Sequence, residues 1–154
     1  LMARYGVPGD PAKAAEYYVQ ALSEQSMLLS GALEAVREVA ERLPVSVVPN
    51  GISAVQRGRM RRSPLRFLIK DFVLSEELGI AKPDPRVLEI ALGTLALRRE
   101  DALMVGDGVA DMRCAKNAAV DGCWLNMGKK KLPEDLRPRY EIDRISLLPA
   151  IALG

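Results

Sequence analysis

The feature that most constrains this chain is an alternation of two periods along it. Short apolar runs, VSVV (45–48), DFVLS (71–75), DALMVGD (101–107) and GCWLN (122–126), with a weaker one near YEID (140–143), read as strands. Segments of helical character separate them. Asp10 as N-cap and Pro11 at the first helical position open a helix that runs to about Gln25. GALEAVREVAERL (31–43) carries Leu33, Val36, Val39, Ala40 and Leu43 at helical spacing. Further helices are expected over 53–62, from the Asp84–Pro85 cap signal through Leu97, over 109–119, and near ISLLPAIAL (145–153). Short strands joined by crossovers of helical length predict an α/β fold with a parallel sheet and helices on both faces. With 154 residues, 49% of them apolar, one domain with a real core is expected.

Charge and composition narrow the function classes. A formal charge of +2 with acids and bases interspersed calls for neither nucleic acid nor a membrane surface as partner. No run reaches the roughly 18 apolar residues of a membrane span, and the start of the chain lacks a signal-peptide pattern, so a soluble, cytoplasmic protein is expected. Cys114 and Cys123 have no histidine to help them build a zinc site, because the chain has none; they read as reduced core thiols. The arginines of QRGRMRRSPLR (56–66) spread around a helix and read as a solvated face, and GKKKLPEDLRP (128–138) as a surface loop. The chain opens with Leu1 in LMARYG, which reads as a fragment.

In parallel sheets ligands sit beyond the carboxyl ends of the strands. Those positions hold Pro49, Asn50 and Gly51, then Ser75 and Glu76, then Gly106, Asp107 and Gly108. Asp107 and Asp111 lie one helical turn apart, so both carboxylates can face one point. Two such carboxylates without histidine or thiolate suit a hard cation, Mg²⁺ above all. The alternative is local: Asp107 capping the helix and Asp111 solvated in its first turn. GDGVAD nearly matches a dinucleotide fingerprint, but Asp111 replaces its third glycine and Asp107 would repel a pyrophosphate, which argues against a nucleotide cofactor. Lys82, before Pro83 in GIAKPDP, could bring an ammonium to a phosphoryl group held near the carboxylates. Asn50 and Gly51 could offer an amide and backbone N–H groups to the same phosphate, or form an ordinary turn.

In this order, VVPNG, SEELGIAKPDPRVLEIAL and ALMVGDGVADMRCAKNAAVDGCWLN resemble the second, third and fourth motifs of the haloacid dehalogenase-like hydrolases. PNGISAVQRGRMRRSPL and CWLN are most similar to the branch containing pyrimidine 5′-nucleotidases. The resemblance implies a Rossmann-like core over 31–154 and, over 1–30, the C-terminal remnant of a helical cap. It implies a Mg²⁺-dependent phosphatase working through an aspartyl-phosphate on a small phosphorylated substrate, a nucleoside 5′-monophosphate in the nucleotidase branch. Asp107 and Asp111 would serve the metal, Lys82 catalysis and phosphate, and Asn50 and Gly51 phosphate. Two departures stand out. The family's nucleophile motif, D-x-D-x-T, does not occur in these residues, and Pro49 replaces the usual Ser or Thr. Without the strand that carries that motif, VSVV and ALMVG are expected to flank a gap in the sheet, to be filled by a missing N-terminal segment or by self-association. The alternative function is a non-catalytic binding or regulatory module.

Overall fold

The computed structural model describes residues 9–154, so the first eight residues of the expected cap remnant lie outside it. Helix α1 (Pro11–Glu24) is capped by Asp10, whose carboxylate accepts the Ala12 N–H at 2.9 Å. It lies against α3 (Ser53–Arg62), where a Cβ on Gly58 would come within 2.6 Å of the Ser23 Cβ. Only glycine allows that approach. The Arg59 side chain donates to the Leu22 carbonyl at 3.0 Å across the same contact.

Helix α2 (Ala32–Ala40) buries Ala32, Ala35 and Val39, a stripe at i, i+3 and i+7. Of the expected stripe through Leu33, Val36, Val39, Ala40 and Leu43, Val39 is buried, but the face is rotated toward Ala32 and Ala35, and Leu43 is exposed. Close packing against α7 (Leu148–Ala152) favours the smaller alanine face. Strand β1 (Val45–Val47) pairs in parallel with β2 (Ile69–Phe72). The second strand thus lies two residues earlier than DFVLS suggested, and Ser75 instead opens the short helix α4 (Ser75–Leu78). Helix α5 (Arg86–Leu95) ends at Ala96, which adopts a left-handed conformation, two residues short of Leu97.

Strands β3 (Leu103–Gly106), β4 (Asp121–Leu125) and β5 (Tyr140–Ile142) form a second parallel group, with Gly106 opposite Trp124 and Leu125 opposite Ile142. Alternate residues point to opposite faces. Cys123 and Leu125, with Leu103 and Val105, meet Val39 and Leu148 on one face. On the other, Met104 joins Val87, Leu88, Cys114 and Ala118 of α5 and α6 (Val109–Ala118). Helices therefore cover both faces, as the sequence predicts.

Among the described residues β1 and β3 are not hydrogen-bonded to each other, so the sheet divides into a pair and a triple. Side chains still span the division: Val45 shares a cluster with Leu103 and Val105, and Val48 shares one with Met104. No helix among the described residues is long and apolar enough to cross a membrane.

Candidate active site

Gly106 ends β3, and Gly108 caps α6. At Gly106 a Cβ would fall 2.4 Å from the Asp111 Cβ and 2.5 Å from its Cγ. Glycine at this strand end therefore makes room for the aspartate to fold back over the turn. One carboxylate oxygen of Asp111, Oδ2, accepts the Gly108 N–H at 3.0 Å, satisfying a donor at the helix start. The other, Oδ1, lies 2.7 Å from Lys82 Nζ, and both side chains are nearly buried, 10% and 12% exposed.

Lys82 reaches this point from the loop after α4, which leaves the helix through Gly79 in a left-handed conformation. The loop is held on both sides. The Asn50 amide accepts the Lys82 N–H at 2.9 Å and donates to the Lys82 carbonyl at 2.9 Å. Asn117 Nδ2 donates to the Pro83 carbonyl at 3.0 Å, and the Cys114 thiol donates to the Asp84 carbonyl at 3.3 Å. Asp84, just before the Pro85 cap of α5, accepts the Arg86 N–H at 3.0 Å and is held below the usual carboxylate range by hydrogen bonds from the Arg86 side chain.

Asp107 stands apart. It is exposed at the carboxyl end of β3, and its carboxylate has no hydrogen-bond or ion-pair partner among the described residues, while its carbonyl accepts from Trp124 Nε1 at 3.4 Å. The structure thus brings Lys82, Asn50 and Asp111 into direct contact and leaves Asp107 open beside them. Gly51, at φ +136°, donates its N–H to the buried Ser75 hydroxyl at 3.3 Å. Ser53, at the start of α3, was not singled out by the sequence, yet its hydroxyl is buried without a partner. Its signal was slight: a serine shortly after the N-G turn, in a motif whose usual hydroxyl is replaced by Pro49.

Among the described residues no three acidic, cysteine or histidine side chains converge as a ready metal cage. Mg²⁺ does not require one, since it commonly binds through one or two carboxylates and keeps its waters. The open carboxylate of Asp107 fits that mode. Both oxygens of Asp111 are already engaged, which suits a carboxylate that sets the local charge and geometry.

Cys114 and Cys123 are both free and buried. Burial pushes the Cys114 thiol up to about 11, against the lowering effect of the Lys82 ammonium, and burial likewise raises Cys123. Since the thiolate is the reactive form, neither cysteine should react with a disulfide reagent at neutral pH in the native protein, and both should react once denaturant is added. A colorimetric thiol titration with and without denaturant checks this.

Two clefts of about 320 and 390 Å³ lie elsewhere, one between the 25–28 linker, α3 and the β1–β2 pair, the other at the foot of β4. Neither is lined by Lys82, Asp107 or Asp111.

Comparison with known proteins bears on this arrangement. Residues 3–125 match the haloacid dehalogenase-like hydrolase family. The chain is 31% identical over 138 residues to the pyrimidine 5′-nucleotidase YjjG of Escherichia coli, covering 88% of this chain and 61% of that protein. It is 31% identical over 145 residues to the pyrimidine 5′-nucleotidase PynA of Streptococcus pneumoniae, covering 92% and 61%. The chain therefore spans under two thirds of the length of these curated relatives. Its fold superposes on the magnesium-bound HAD-hydrolase YfnB of Bacillus subtilis with a TM-score of 0.89 at 29% identity, over 98% of this chain and 67% of that one. With Asn50 after β1, Lys82 after α4 and Asp107 after β3, and its core folded as in these proteins, the chain belongs to the haloacid dehalogenase-like hydrolases.

Proposed function

We propose that this chain forms the phosphate and metal side of a Mg²⁺-dependent phosphatase acting on small phosphomonoesters, nucleoside 5′-monophosphates among them. The observation that carries the reading is the nearly buried Lys82–Asp111 pair beside the open carboxylate of Asp107, all at the carboxyl end of the sheet. The nucleotidase names of its relatives support the substrate class.

In this reading Asp107 would hold the metal and Asp111 would support the site while fixing Lys82. A bound Mg²⁺ would neutralise charge on the phosphoryl oxygens. The Lys82 ammonium is held by Asp111 through a single oxygen, which leaves N–H donors for a phosphate or for an aspartate nucleophile. Asn50 keeps one amide hydrogen beyond its bond to Lys82, and Gly51 allows close backbone approach to a phosphate oxygen. Residues 1–30 would be the end of a cap and 31–154 the catalytic core.

A second reading is a binding or regulatory module that keeps the core without the nucleophile, since D-x-D-x-T does not occur in these residues. Two measurements separate them: Mg²⁺-dependent phosphate release from an aryl phosphate and from pyrimidine monophosphates, and Mg²⁺ titration of the fluorescence of Trp124, the single tryptophan, which touches Asp107. With the segment upstream of Leu1 restored, the phosphatase reading expects turnover that falls at least ~100-fold in Asp107→Asn, and for the 154-residue chain it expects a fluorescence change lost in the same variant. With the upstream segment restored, a fluorescence change without turnover supports the binding module, and turnover unaffected by Asp107→Asn overturns the assignment of Asp107.

A further inference from the structure

We infer that Asn50 is a positioning residue for Lys82, and that the chain of contacts Asn50, Lys82, Asp111 ties the two strand groups together at their carboxyl ends. The phosphatase reading supplies the purpose of the ammonium, and the tie itself stands on geometry.

Asn50 follows β1, Lys82 lies in the loop after α4, and Asp111 sits in the first turn of α6 after β3. With β1 and β3 not hydrogen-bonded to each other, these side chains link one strand group to the other. The Asn50 amide engages both the N–H and the carbonyl of one residue, as a neighbouring strand would. Those two groups belong to the peptide planes on either side of the Lys82 Cα. Holding both sets the direction in which a long, flexible side chain leaves the backbone. Asn117 and Cys114 hold the next two carbonyls from α6, so the loop is fastened from both groups.

The same device recurs at the end of β4. Asn126, buried after β4, accepts the Lys130 N–H at 2.8 Å and donates to the Lys130 carbonyl at 3.0 Å. Lys130 has no ion-pair partner among the described residues, so a clamp of this kind does not depend on a salt bridge. At Asn50 the clamp is joined to one, which is what directs Lys82 to a defined acceptor.

The test is lysine acylation of the 154-residue chain, followed by mass spectrometry, for the native protein, Asn50→Ala and Asn50→Asp, with Lys70 and Lys129 as exposed references. The nearly buried Lys82 should react about tenfold slower than Lys70 in the native protein. Asn50→Ala should accelerate Lys82 about tenfold with Lys70 and Lys129 unchanged, and Asn50→Asp, which keeps the acceptor but not the donor, should accelerate it by less. Lys82 reacting at the native rate in both variants overturns the proposal. Should Asn50→Ala unfold, Asn50→Asp decides alone: acceleration confined to Lys82 supports the clamp, and no acceleration refutes it. Because no phosphate chemistry is read, a chain that hydrolyses nothing can still pass, and an active phosphatase can still fail.

Discussion

Replacing Asp111 by alanine is expected to lower the free energy of unfolding by about 3 kcal/mol, a large share of what a domain of this size has. The substitution strands the Lys82 ammonium, 10% exposed, without its 2.7 Å partner. It also frees the Gly108 N–H at the start of α6 and leaves space above Gly106. A stranded charge in a nearly buried position is the dominant cost, because desolvation is no longer offset by a counter-charge. The check is urea unfolding followed by Trp124 fluorescence, read as a shift in midpoint at constant slope. Lys82→Met with Asp111→Leu together should recover much of the loss, since removing both charges also removes the desolvation cost. A double variant no more stable than Asp111→Ala would show that the cap and packing, not the ion pair, dominate.

Trp124→Ala should cost about 4 kcal/mol, the largest effect of a single truncation expected here. Trp124 is 5% exposed and packs with Met112 of α6 and Leu136, while its strand partner is Gly106. Removing the indole opens a cavity under α6 and deletes the hydrogen bond to the Asp107 carbonyl. The site should therefore loosen along with the core. Thermal unfolding followed by circular dichroism checks the stability, and Mg²⁺ titration by calorimetry reads the effect on Asp107. Trp124→Phe, which keeps most of the apolar contact, should lose far less stability.

Much of the architecture could be read along the chain because its causes are local. The Asp10–Pro11 start, the basic helix over 53–62 and the strands around 103–106 and 121–125 follow from periods and caps spanning a few residues. The candidate site was legible for a related reason: a strand that ends in Gly-Asp-Gly before a helix places its aspartate at the carboxyl edge whatever surrounds it. Less legible were the buried face of α2 and the start of β2, where packing against α7 and pairing with Val45–Val47 outweighed the pattern of the segment itself.

The sequence by itself determined the class of the fold, the order of its main elements and the side chains that follow β1 and β3, since periodicity, capping and glycine turns act over the nearest residues. Tertiary structure decided which of those side chains meet. Lys82 contacts Asp111 and not Asp107, Asn50 spends its amide on the Lys82 backbone, and β1 and β3 remain unpaired across the division of the sheet. These outcomes depend on groups far apart in the sequence, where packing of α5 and α6 onto the strands sets distances that no local pattern encodes.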